Sequence, residues 1–357
     1  MLFVTKTYLP SKEKFLRYVN EIWQSHILTN NGSLVQVLEE KLKQYSNCSN
    51  VLACANGTIV IQMALKAMNI TKEVITTPFT YVATLDALLW EGCVPVFVDI
   101  NPDGFTIDVD KIESAITENT EAILATHVYG YPCDVDRIEK IAAKHNLKVI
   151  YDASNAFGTS YKGKSIFQFG DISTCSFHAT KLFHTAEGGG LFINKNEYYE
   201  QLCLYRSFGH IYDEYFSMGI NAKMSELHAA MGLRVFEDLE KILEKRKEVS
   251  LWYDHFLQRG VHLEISKWDS VNYNFAYYPL VLESQQKVFD TMKKLAEKNI
   301  FPRRYFYPSL NKLPFLRTFY PCPISESIAE RILCLPLSNY ITQLEVEQIC
   351  DIINRSK

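Results

Sequence analysis

Several things are missing from this sequence, and each absence removes a class of function. No apolar run is long enough to cross a bilayer. The opening Met1-Leu2-Phe3-Val4-Thr5-Lys6 has neither the long apolar stretch nor the cleavage site of a signal peptide. The expectation is a cytoplasmic protein with no membrane partner. No Cys-x-x-Cys pair occurs among nine scattered cysteines, which argues for reduced thiols rather than disulfides or structural zinc, and no metal is expected. Cys54, Cys175 and Cys334 read as buried structural residues. Charge of one sign is also lacking: a formal net charge of -4 and a pI near 6.2 give no general attraction to nucleic acid. An anionic ligand must therefore be held by a local site. Neither the Gly-x-Gly-x-x-Gly fingerprint nor a nucleoside-triphosphate loop appears, and there is no repeat or low-complexity segment.

What is present is a chain of 357 residues, 47% hydrophobic, long enough for two domains or for one large domain with an appendage. Phe15, Tyr18, Val19, Ile22 and Trp23 recur at helical spacing behind Pro10-Ser11. After the turn Thr29-Asn30-Asn31-Gly32, a second helix carries Leu34, Val35, Leu38, Leu42 and Tyr45. Short apolar runs at 51–55, 74–77, 94–99, 122–126 and 148–152 alternate with helical patterns, which predicts an α/β fold with a mostly parallel sheet covered on both faces. A long helical stretch follows from Ser225 to Arg259. Beyond it come a strand at 273–282, a helix from Gln285 to Lys298, a strand near Arg303 to Tyr307 and a helix from Thr342 to Asn354. The predicted division is 1–245 for a large α/β/α unit and 246–357 for a smaller α+β unit.

Chemistry-bearing residues fall where these strands end. Val51-Leu52-Ala53-Cys54-Ala55 runs into Asn56-Gly57-Thr58 and a helix, an arrangement of backbone N–H groups and positive dipole end that suits a phosphate; Thr58 serves equally as a plain cap. Pro78 to Tyr81, Asp152 to Asn155, Ser176 and Lys181 also sit at strand exits, and ligands of open α/β sheets bind there. The triple glycine at 188–190 permits close approach of a cofactor or another chain. Pyridoxal 5'-phosphate needs a lysine for its aldehyde, a carboxylate for its ring nitrogen, a flat partner for its ring, and N–H and hydroxyl donors for its phosphate. The set above supplies one of each.

The carrying stretches are Asn56-Gly57-Thr58, Thr77-Pro78-Phe79-Thr80-Tyr81-Val82-Ala83-Thr84, Asp152-Ala153-Ser154-Asn155-Ala156, Ser176-Phe177-His178-Ala179-Thr180-Lys181 and Glu187-Gly188-Gly189. In these the chain resembles the sugar aminotransferases of nucleotide-linked sugar biosynthesis, a branch of the fold-type-I pyridoxal phosphate enzymes. The resemblance implies that Lys181 is the catalytic lysine that bonds the cofactor and moves the proton. It also implies that Asp152 holds the pyridine nitrogen, Tyr81 stacks on the ring, and Gly57, Thr58 and Ser176 bind the phosphate. Asn221 would reach the phosphate of the neighbouring subunit in a homodimer with shared active sites. Asn155 stands where the family commonly has glutamine or histidine, and would donate to the cofactor's phenolic oxygen directly or through water. His178 either faces the sugar or is a satisfied core histidine.

A related branch of the family replaces the lysine with histidine; Lys181 is kept here, so the resemblance implies transamination. The wording around Thr29, His178 and Arg304 to Pro308 is nearest to members that make dTDP-4-amino-4,6-dideoxyglucose, for O-antigen or other surface polysaccharide. The substrates implied are a dTDP-linked 4-keto-6-deoxy sugar and L-glutamate as amino donor. Thr29, Arg304 and Tyr307 are candidate sugar-nucleotide contacts, the last two being equally readable as a packed strand. A C3 aminotransferase, a UDP-linked substrate, and a non-catalytic regulatory relative remain as alternative readings.

Overall fold

The computed structural model describes residues 1–101, 103–258, 270–318 and 320–355. Seven strands build the central sheet: β1 Asn50–Cys54, β2 Glu73–Thr76, β3 Val94–Phe97, β4 Thr120–Thr126, β5 Lys148–Asp152, β6 Ile172–Ser176 and β7 Gly189–Ile193. Their spatial order is β1-β7-β6-β5-β4-β2-β3. The neighbours from β6 through to β3 pair in parallel, whereas β7 runs antiparallel to both β1 and β6. The uninterrupted apolar strands have a simple cause. Val51, Ile75, Ile123, Val149 and Phe192 enter one buried cluster, while the alternate residues Leu52, Val74, Leu124, Ile150 and Leu191 enter another. Side chains alternate across a strand, so a sheet buried on both faces is apolar at every position.

The N-terminal helices are Lys12–Ser25 and Ser33–Ser46. Ile22 is buried as expected, but Trp23 is 65% exposed. The predicted helix from Ser225 to Arg259 is two helices, Glu226–Phe236 and Leu239–Phe256, and Arg259 lies outside the described residues. At the break, Glu237 and Asp238 both pair with Arg234, while Tyr18 donates to Glu237 and Tyr8 to Asp238. The second helix runs across residue 245 without interruption.

Its later part packs into a separate cluster with strands β8 Tyr278–Val281 and β9 Ile332–Leu335, an antiparallel pair, and with helices Gln285–Ala296 and Gln343–Asn354. Leu2–Phe3 pairs in parallel with Ile300–Phe301, so the first residues of the chain join this second unit.

Two predicted strands are shorter than their apolar patterns. In 273–282 only Tyr278–Val281 is strand: Asn274 donates to the carbonyls of Asn155 and Phe157, and Phe275 takes a positive φ of 51°. The stretch 303–307 makes one bridge, Arg303 to Cys334, and no longer ladder.

Candidate active site

A cavity of about 270 Å³ opens at the carboxyl ends of β1, β4, β5 and β6. Gly57, Thr58, Tyr81, Asp152, Asn155, Ser176, His178 and Lys181 all line it. Thr29, Asn221, Arg304 and Tyr307 do not. Thr29 and Asn221 are exposed, Asn221 on a short bridge to Ser207. The guanidinium of Arg304 lies 3.4 Å from the Tyr307 ring centroid, on the flank of the second unit. The neighbouring Arg303 lines the cavity instead, with its guanidinium 4.7 Å from the ring of Tyr305, another lining residue. Consecutive residues of extended chain point to opposite sides, and one isolated bridge gives the sequence no period from which to read the phase.

Lys181 follows β6 on a turn in which its N–H donates to the His178 carbonyl. Its Nζ donates to Asn155 Oδ1 at 2.9 Å. Burial holds this amine below the ordinary lysine range, against the opposing pull of the Asp152 carboxylate. Asp152, at the end of β5, is 5% exposed. Its Oδ1 accepts from the Ser154 N–H at 3.0 Å and its Oδ2 from the Thr84 hydroxyl at 2.7 Å. His178 is not a core histidine: nearly half its side chain is exposed, with Nδ1 2.9 Å from the Thr180 hydroxyl and Nε2 3.5 Å from Glu187.

Another part of the wall is the start of the helix Gly57–Ala67, capped by Asn56, whose Oδ1 accepts from the Ile59 N–H. A helix start offers backbone donors without intrahelical partners. Gly57 is fixed by space, since a Cβ there would sit 2.6 Å from Ser176 Cβ. Gly189 is fixed likewise, with a Cβ 2.3 Å from the Asn56 carbonyl oxygen. The close approach foreseen at the triple glycine is therefore made by the chain's own Asn56-Gly57 loop, and at Gly190 by the Phe177 ring. Tyr81 stands just before the helix Val82–Trp90, its side chain making no capping hydrogen bond, and leaves its ring half exposed on the cavity wall.

Sequence reasoning passed over Thr80, Thr84, Thr126 and Arg303. Thr80 and Thr84 lie within a quoted motif and stand four apart at a helix start, a spacing that places side chains together, and Thr126 ends the predicted strand 122–126. Cys54, Cys175 and Cys334 are buried, as foreseen, and all nine cysteines are free. Among the described residues no cluster could hold a metal ion, and no helix is long and apolar enough to cross a membrane.

A doubly covered α/β sheet whose strand ends bring a buried amine, an amide, a carboxylate and a helix start into one cavity defines the class: an α/β enzyme with its site at the carboxyl ends of its strands. The chain belongs to the DegT/DnrJ/EryC1/StrS aminotransferase family, whose profile matches residues 10–354. It is 39% identical to the dTDP-4-amino-4,6-dideoxy-D-glucose transaminase of Shigella dysenteriae, over all of this chain and 99% of that one. It is 37% identical to the enzyme of the same name from Escherichia coli, over 98% and 97%. The solved structure of DesI with its TDP-sugar product superposes with a TM-score of 0.93 at 28% identity, covering 99% of this chain and 93% of that one. Members of the family are pyridoxal phosphate-dependent aminotransferases.

Proposed function

We propose that this chain transfers the amino group of L-glutamate to C4 of dTDP-4-keto-6-deoxy-D-glucose, giving dTDP-4-amino-4,6-dideoxy-D-glucose and 2-oxoglutarate. The observation that carries the reading is the meeting of Lys181, Asn155 and Asp152 in one cavity with the helix start at Gly57. The family and the two transaminases of that name support the substrate.

The residues present fit pyridoxal phosphate. When bound, it supplies an aldehyde that carries the amino group and a ring that withdraws electrons from the reacting carbon. Burial keeps the Lys181 amine closer to its neutral, nucleophilic form, and the same nitrogen is placed to take and return a proton. Asp152 presents a fixed negative charge to a protonated ring nitrogen. Gly57, Thr58 and Ser176 offer donors to the phosphate, and Tyr81 a flat face. Asn155, 7% exposed, now accepts from Lys181 through Oδ1 and would donate from its amide nitrogen to the phenolic oxygen of the bound cofactor. Arg303, rather than the candidate Arg304, makes the sugar-nucleotide contact, because a guanidinium on a cavity wall pairs in two places with a phosphate.

We assign Asn221 to the neighbouring subunit's site, which makes the functional unit a homodimer. An exposed hairpin, His210–Ile211 paired with Glu214–Tyr215, supports this: in it and just after it Ile211, Tyr212, Tyr215, Phe216 and Met218 are exposed, Tyr212 at 90%, shortly ahead of Asn221. Surfaces of that kind mark interfaces.

Mass spectrometry and NMR of the product formed from pyridoxal phosphate, glutamate and the 4-keto sugar test the reading. An equatorial amine at C4 supports it. Failure here, with an amine at C3 once a ketoisomerase is supplied, overturns the substrate and leaves the cofactor assignment standing.

A further inference from the structure

Behind the cavity, three threonine hydroxyls line up on the carboxylate of Asp152. Thr126 closes β4, Thr80 precedes the helix Val82–Trp90, and Thr84 lies in that helix's first turn. Thr126 Oγ1 donates to Thr80 Oγ1 at 3.0 Å, Thr80 and Thr84 Oγ1 are 3.0 Å apart, and Thr84 Oγ1 donates to Asp152 Oδ2 at 2.7 Å. All three threonines are buried, Thr84 at 0% exposure. Thr126 and Thr80 touch the cavity wall, but Thr84 does not.

The direction of this chain follows from proton counting. An ionised carboxylate only accepts, so the single hydroxyl proton of Thr84 is committed to Asp152. Thr84 must then accept from Thr80, and Thr80 from Thr126. Three O–H dipoles point the same way, and hydrogen bonds in such a series polarise one another. The carboxylate is held at both oxygens from different elements, by Thr84 on a helix and by the Ser154 N–H on the chain after β5. Its plane cannot turn without breaking one of these contacts at a largely buried position, where an unmade hydrogen bond to a charge is costly.

We propose that Thr126, Thr80 and Thr84 form a one-way donor chain that positions Asp152, fixing the direction and negative charge it presents to the ring nitrogen of pyridoxal phosphate. Thr84 is the positioning residue: it reaches the cofactor only through Asp152. This rests on the assignment of Asp152 above, and the test separates the two.

Apo-protein is titrated with pyridoxal phosphate labelled with ¹⁵N at the ring nitrogen, and the dissociation constant and the nitrogen chemical shift are read for wild type, Thr84→Val and Thr84→Ser. Thr84→Val, which keeps the shape and loses the proton, should bind about tenfold more weakly, as expected for a lost bond to a charged group. Its ring-nitrogen resonance should move toward that of unprotonated pyridine. Thr84→Ser should return both readings to within about twofold of wild type, since it restores the donor. Thr84→Val equal to wild type in both, or Thr84→Ser as impaired as Thr84→Val, overturns the proposal while leaving Asp152 its role. Should Thr84→Val fail to fold, the smaller pair Thr84→Ala and Thr84→Ser decides in the same way. Wild-type protein that binds no pyridoxal phosphate removes this inference together with the function beneath it.

Discussion

Lys181 owes its character to its neighbours. An ordinary lysine at neutral pH is protonated and does not attack an aldehyde; this one is pushed downward by burial and held on Asn155. Lys181→Ala is expected to abolish turnover and the visible band of the lysine-bound cofactor, while the cofactor still binds without a bond. Absorbance and steady-state assay check this, and a variant with wild-type turnover would remove the lysine from the chemistry. His127 carries a different consequence. It is fully buried, stacked on Tyr151, and accepts at Nδ1 from the Cys133 N–H, and burial lowers its pKa from 6.5 to about 3. Because the unfolded chain takes up a proton that the folded one refuses, His127's contribution is complete above pH 6.5 and is lost as pH falls toward 3. The loss reaches about 1.4 kcal/mol per pH unit inside that window. Melting temperature should fall between about pH 7 and 5, and less steeply in His127→Asn, which keeps an acceptor but does not titrate. Equal slopes for the two proteins would sink this account.

The loop Asn56-Gly57 and the strand β7 fit each other without spare room, and this makes Gly189 a structural requirement of the cavity. Gly189→Ala would press a methyl group on the Asn56 carbonyl, and backbone cannot swing aside as a flexible side chain does. A cost of about 2 kcal/mol or more is expected, with weaker phosphate and cofactor binding; calorimetric melting and titration measure both, and an unchanged melting temperature would contradict the packing argument. The alternating pattern made the sheet legible in the sequence, because strands buried on two faces are apolar throughout, and the strand-exit residues from Gly57 to Lys181 then fell to one edge. Other parts were not legible, for physical reasons. Arg303 and Arg304 differ only in which side of an irregular segment they face. The first half of 273–282 looks like strand, yet Asn274 spends its amide on the carbonyls of Asn155 and Phe157 and turns the segment into a support for the site. The helix break falls at Glu237 and Asp238, whose carboxylates accept from Tyr18 and Tyr8, more than two hundred residues earlier, contacts that no local pattern reports.

Two chains are needed for the proposed site to be complete, and the exposed hairpin is where the second is expected to seat. Sedimentation at micromolar concentration should give a dimer, Tyr212→Glu should weaken it, and activity should fall with the dimer fraction. A fully active monomer would contradict this. The sheet order also sets a clock. The edge strand β1 has a single sheet neighbour, β7, whose residues lie well over a hundred positions later. During synthesis at ordinary rates, β1 and the loop behind it remain without that support for on the order of ten seconds. A nascent chain therefore carries the Asn56-Gly57 side of its cavity long before the strand that supports it exists, so under the proposed function cofactor capture would be a late event in the life of each molecule.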